Sequence, residues 1–225
     1  MLLERISICF GMAVAMFAVT PATAASGERE TELHQAAALG HATEIRGLLA
    51  KGAAIDARNA KGETALLIAT HANHVEAARV LIEGGADVNA KDKINDSPYL
   101  YAGARGHNDI LQMTLAHGAD LKSTNRFGGT AIIPASERGH VETVRILIAA
   151  GADVNHVNNL HWTALLEAII LSDGGPRHVE IVRDLLDAHA DVNLADGEGV
   201  TPLQHARQRG YSAIEALLVQ AGAKG

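Results

Sequence analysis

The chain has 225 residues and a single cysteine, Cys9. A fold built on it cannot rest on disulfides, and since Cys9 lies in an N-terminal stretch expected to be removed, thiolate metal ligands and cysteine nucleophiles would leave with it. Aromatic residues are 3% of the chain, yet hydrophobic residues are 48%. Alanine and leucine must therefore make the core, and both are strong helix formers, so an all-α protein is expected. No long basic run exists, and the formal net charge is −7. Phosphate recognition leaves a basic footprint, so no nucleic-acid partner is expected. The chain also has no G-x-S-x-G nucleophile turn, no H-E-x-x-H metal motif, no G-x-G-x-x-G and no phosphate loop. These absences remove the usual starting points for catalysis and for a cofactor, and neither is expected.

The N-terminus differs from the rest. Arg5 precedes an apolar run from Ile6 to Val19, interrupted only by Ser7 and Gly11. Small residues at Ala22 and Ala24 then fit an A-x-A cleavage pattern. This is the anatomy of a secretory signal peptide. The expected leader is 1–24, removed to leave a mature chain of 25–225 without cysteine, in the periplasm or secreted, with no membrane contact. The alternative is an uncleaved leader that tethers the chain. The apolar run is short for that, since a spanning helix needs about 20 residues.

What is abundant is repetition. Gly85-Ala86-Asp87-Val88-Asn89 returns as Gly118-Ala119-Asp120-Leu121 and as Gly151-Ala152-Asp153-Val154-Asn155, each time after 33 residues. A weaker copy begins at Gly52, and Ala190-Asp191-Val192-Asn193 follows after a longer step. His41, His74, His107, His140 and His178 keep the same register. So do Thr31, Thr64, Ser97, Thr130, Thr163 and Thr201, which stand where a hydroxyl can cap a helix. In the fourth unit, Thr130 would cap a short helix ended by Gly139. A second helix over Val141–Ala149 would bury Val144, Ile146, Leu147 and Ile148 and stop at Gly151. A helix–turn–helix unit of this size cannot bury its apolar faces alone, but a stack of them can.

Over roughly residues 30–223 this pattern closely resembles the ankyrin repeat. The resemblance implies a solenoid of about six helix–turn–helix units with hairpin loops, near 28–57, 58–90, 91–123, 124–156, 157–193 and 194–225. The family tetrapeptide T-P-L-H is intact nowhere. Its histidine survives only at His34, and its place is otherwise taken by Leu67, Leu100, Ile133, Leu166 and Gln204. Asn73, His161 and His189 occupy glycine positions. Pro134 is unusual inside its helix. The fifth unit is longer by a stretch around 172–177, read either as a solvated loop or as a binding loop.

Twelve histidines raise a metal-sequestering alternative. Five of them fill one repeat position and so lie a whole unit apart, too far to share a metal with bonds of about 2 Å. The remaining pairs, His71 with His74 and His156 with His161, carry no motif. No metal site is therefore expected. The recurring Asp87, Asp120, Asp153 and Asp191 read as turn residues that bond local backbone.

The resemblance implies a non-catalytic scaffold, expected as a monomer, that binds a protein partner through loop tips and a concave face. At those variable positions stand Ile94, Arg105, Arg126, Phe127, Arg138, Leu160 and Trp162. Aromatic and arginine side chains dominate binding hot spots. A contact patch across units three to five is thus expected, centred on Phe127 and Trp162. Tyr99, at a leucine position, is expected in the core.

Overall fold

The computed structural model describes residues 21–224. Most of the expected leader lies outside them. Among the described residues there are helices and turns but no strands. The helices come in pairs: α1 (Pro21–Leu39) with α2 (Ala42–Ala50), α3 (Ala65–His71) with α4 (Val75–Glu83), α5 (Pro98–Arg105) with α6 (Asn108–Ala116). Next come α7 (Ile132–Glu137) with α8 (Val141–Ala149), α9 (Ala164–Ile170) with α10 (Pro176–Asp187), and α11 (Pro202–Arg209) with α12 (Ser212–Gln220). The odd-numbered helices pack in succession into one layer and the even-numbered ones into a second. This is an open solenoid in which each pair touches the pair before and after it.

Local sequence sets the helix starts. The side chains of Thr64, Ser97, Thr163 and Thr201 accept from the backbone N–H three residues on, at 3.2–3.3 Å. Two capping positions do not behave as expected. Thr31 lies inside α1, which begins ten residues earlier, and its hydroxyl donates to the Gly27 carbonyl at 2.9 Å. Thr130 caps nothing, and its buried hydroxyl has no partner. Pro134 explains this. In the other units the carbonyl of the capping residue accepts from the fourth residue on, as Thr64 does from Ile68. Proline has no N–H to give. The Thr130 carbonyl takes the N–H of Ile133 instead, the donor its own hydroxyl would otherwise use. Pro134→Ala should free that donor and stabilise the stack by about 1 kcal/mol. Thr130→Val should then cost about as much in the Pro134→Ala background while costing nothing in the native chain. Equal effects of Thr130→Val in both backgrounds, measured by urea unfolding, would refute this account.

The core follows the repeat. Leu66, Leu81, Ile110, Leu147, Ile181 and Ile214 are fully buried. In α8, Val144 and Leu147 are buried as expected, whereas Ile146 and Ile148 are half-buried. Leu67, Leu100, Ile133 and Leu166, where the family histidine would stand, are buried, but Gln204 is exposed. Tyr99 is in the core at 0% exposure, with its hydroxyl unpartnered, and burial pushes its ionisation far above the ordinary range. Gly103 of α5 meets α7 so closely that a Cβ there would stand 2.8 Å from that of Ala131.

Three sets of bonds join neighbouring units. The first belongs to the histidine register. Ring N–H groups donate to carbonyls of the preceding unit, His74 to Ala38 at 3.1 Å, His107 to Thr70 at 3.1 Å and His178 to Glu137 at 3.0 Å. In the sixth unit Tyr211 takes this place and donates to the Ser172 carbonyl at 2.6 Å. The second runs along the hairpin loops. Asp56, Asn89, Asn155 and Asn193 each accept from a backbone N–H of the next loop, at 2.7–3.0 Å. Lys122 occupies the same position and cannot accept, so the third and fourth units lack that tie. The third is main chain to main chain, with Lys93 donating to Lys61 at 3.1 Å and Asn159 to Phe127 at 2.9 Å. Within each turn Asp87, Asp120, Asp153 and Asp191 accept from the residue two further on, at 2.8–2.9 Å. That is the local role expected of them.

Among the described residues four that are not glycine hold positive φ: Asn73, Asn95, His161 and His189. Asn95 joins the three expected from the sequence. The long fifth unit is less of a loop than its composition suggests. Pro176 and Arg177 form the first turn of α10, where proline's missing N–H costs nothing. Only 172–175 remain outside, and Gly174, at φ +66°, lies under the Tyr211 ring.

Candidate functional site

The inner helices and loop tips of the third to fifth units enclose a concavity of about 250 Å³. Each helix contributes the residue fourth after its capping position, Tyr101 from α5, Pro134 from α7 and Glu167 from α9. The last turns add Arg105, Glu137, Arg138 and Leu171, and the loops add Asn125, Arg126, Phe127, Asn158 and Leu160.

Of the side chains expected to form a contact patch, Arg105, Arg126, Phe127, Arg138 and Leu160 line this concavity, while Ile94 and Trp162 do not. Ile94 is 51% exposed. Trp162 is half-buried, less exposed than its loop position suggests. Its main chain closes the fifth loop, with its N–H donating to Asn158 Oδ1 at 3.0 Å and its carbonyl accepting from the Asn158 N–H at 3.0 Å. Of the two aromatics expected at the centre of the patch, only Phe127 lines the concavity, 52% exposed beside Leu160 at 52% and Leu171 at 49%.

The arginines are engaged. Arg126 lies over the Phe127 ring, 4.9 Å from its centre, and reaches Asp96 at 3.9 Å. Burial and the nearby Asp92 raise the Asp96 carboxyl above its ordinary range. Arg138 donates to the Ala104 carbonyl at 2.6 Å, and Arg105 sits 5.4 Å over the Tyr101 ring.

Glu167 was not singled out by sequence reasoning. It is 6% exposed, and Asn158 Nδ2 donates to its Oε1 at 2.8 Å. Burial, reinforced by Glu137, pushes its pKa up to about 7. The signal was available: one charged residue inside the apolar stretch Ala164-Leu165-Leu166-Glu167-Ala168-Ile169-Ile170.

The histidine pairs part company. His71 stacks on Tyr101 with ring centres 4.2 Å apart and faces Glu63 at 3.5 Å, while His74 turns to the preceding unit. His156 donates to the Gly128 carbonyl at 2.7 Å, and His161 holds a turn at φ +61°. Among the described residues no three His, Cys, Asp or Glu side chains converge to hold a metal. No helix among them is long and apolar enough to cross a membrane.

Stacked helix pairs, hairpin loops bonded tip to tip and a surface concave across several pairs define a solenoid repeat protein of the binding type. The family pattern described as ankyrin repeats matches residues 11–92 and 99–196, and the chain belongs to the ankyrin-repeat family. It is similar to an ankyrin repeat domain from Acinetobacter baumannii AYE, whose crystal structure superposes with a TM-score of 0.85 at 65% identity, covering 87% of this chain and 100% of that one. A second solved ankyrin repeat protein, EF0377, gives a TM-score of 0.81 at 39% identity, over 84% of this chain and 96% of its own. Among curated proteins, the ankyrin repeat protein YahD of Escherichia coli K12 is 42% identical over 59 residues. That alignment spans 26% of this chain and 29% of YahD. Ankyrin repeats are in general protein–protein interaction scaffolds, typically without catalysis.

Proposed function

We propose that this chain is an exported, non-catalytic scaffold that binds a protein partner on the concave side of its third to fifth units. The observation that carries the reading is the grouping of Phe127, Leu160 and Leu171, large apolar side chains about half exposed around one concavity. Exposed apolar surface gathered within a polar rim is characteristic of binding surfaces. Ile94 extends the surface along the loop tips, and Arg105, Arg126 and Arg138 form its rim. Tip-to-tip main-chain bonds hold Phe127 in place before any partner arrives, which lowers the ordering cost of association. Export to the periplasm or beyond rests on the leader pattern of residues 1–24.

The test is capture from an envelope fraction, with the native chain beside Phe127→Ala/Leu160→Ala and, separately, Trp162→Ala. A partner held by the native chain should lose about 2–4 kcal/mol of binding with the double variant. Trp162→Ala should bind nearly as well as the native chain. Circular dichroism and urea unfolding establish that each variant is folded. A partner retained undiminished by the folded double variant would move the binding surface elsewhere.

A further inference from the structure

We infer that the concavity receives one cationic side chain of the bound protein, a lysine or arginine, with its head between the carboxylates of Glu167 and Glu137 and its stem on Leu160 and Leu171. The inference rests on the scaffold reading above and adds the chemistry of what enters.

The cavity dictates the size of the guest. At about 250 Å³ it falls just below the range of roughly 300–1,000 Å³ usual for small-molecule pockets, a size that suits one inserted side chain. Its charge dictates the sign. Three arginines border it, but each is already engaged, Arg126 with Asp96 and the Phe127 face, Arg138 with the Ala104 carbonyl and Arg105 with the Tyr101 ring. Glu167 and Glu137 are not so engaged. Among the described residues the only donor to the Glu167 carboxyl is an uncharged amide, that of Asn158 at 2.8 Å, and it reaches only Oε1. Among the described residues no cation pairs with either carboxylate, and the attraction of Arg138 is the smallest of the influences on Glu167.

A carboxyl more than nine-tenths buried without a counter-charge is an expense to the fold. A guest cation removes that cost and gains a desolvated ion pair, whereas a guest anion would meet two carboxylates at once. The net charge of −7 favours the approach of a basic partner over an acidic one. Around the head, Leu160, Leu171 and the Phe127 ring supply the apolar surface along which a long charged side chain lays its methylenes.

The test uses the purified chain and three acetylated, amidated pentapeptides of alanine with arginine, glutamate or norleucine at the centre. Titration followed by backbone amide NMR should show saturable shifts at Phe127, Leu160 and Glu167 with the arginine peptide. Glu167→Gln, which keeps an acceptor for Asn158, should weaken that binding about tenfold or more. Calorimetry near pH 7 in two buffers of different ionisation enthalpy should register proton release on binding by the native chain and none by the variant. Equal binding of the glutamate or norleucine peptide at the same amides would overturn the cationic assignment while leaving the surface in place as a binding site. Undiminished binding by folded Glu167→Gln, or no saturable shift with the arginine peptide, would also overturn it. The capture experiment with Phe127→Ala/Leu160→Ala is scored separately, so a scaffold that binds without a cation is distinguished from a surface that binds nothing.

Discussion

Glu167→Gln should stabilise the folded chain by roughly 3 kcal/mol at pH 8 and by almost nothing at pH 4. The folded protein holds the Glu167 proton up to about pH 7, because burial and then Glu137 oppose ionisation. The unfolded chain releases that proton near 4.5, the ordinary value. Between these limits the folded state binds more protons, so its stability declines as pH rises through the window. Above the window the whole penalty is present, and below it both states are protonated and the penalty vanishes. Glutamine removes the charge, keeps the volume and still accepts from Asn158. Urea unfolding of native and variant chains from pH 4 to 8 reads the difference directly. A gap between them that does not change with pH would show that Glu167 ionises in the fold as freely as in the unfolded chain.

Gly103→Val should cost about 3 kcal/mol. The site lies in the last turn of α5, facing the start of α7, where even a methyl group would stand 2.8 Å from the Ala131 Cβ. Valine adds two further carbons at that point, and tightly packed interiors have no slack to absorb them. α5 and α7 must separate, and with them the layer that carries the concavity. Gly103→Ala sets two effects against each other, the clash with Ala131 and a gain of about 1 kcal/mol from helix propensity. Ala131→Gly should therefore turn Gly103→Ala into a stabilising change. If urea unfolding found Gly103→Val harmless, the α5–α7 approach would be looser than the structure has it.

Much of this architecture is legible in the amino-acid order because each unit repeats the same physical solution. The 33-residue register places hydroxyls at Thr64, Ser97, Thr163 and Thr201, and these cap their helices. The same register misleads where one residue cancels another. Thr130 looks identical to its counterparts, but its capping bond depends on an N–H pattern that Pro134, four residues on, disrupts. Thr31 keeps the register without the role, because the chain before it is already helical. Pro176 reads as a breaker in isolation and turns out to open α10. The concavity was partly legible. The repeat positions identify which side chains face a common surface, so Phe127, Leu160 and the three arginines could be named. They do not say how deeply each sits. Trp162 and Phe127 occupy neighbouring types of loop position, yet only Phe127 lines the concavity. Glu167 went unnoticed since a lone acidic residue gains its meaning from what surrounds it in space, here the Asn158 amide bonded to it and, among the described residues, no cation paired with it.

The histidine tethers all end on main-chain oxygens, those of Ala38, Thr70 and Glu137. A carbonyl is the same atom whatever side chain its residue carries. Glu137 thus holds the fifth unit to the fourth through its backbone while its carboxylate faces the concavity. Recognition and cohesion are divided between two parts of one residue, and the first can be rewritten without disturbing the second. A substitution at Glu137 would then change which proteins are recognised and leave its histidine tether intact, so a new specificity there requires no new scaffold.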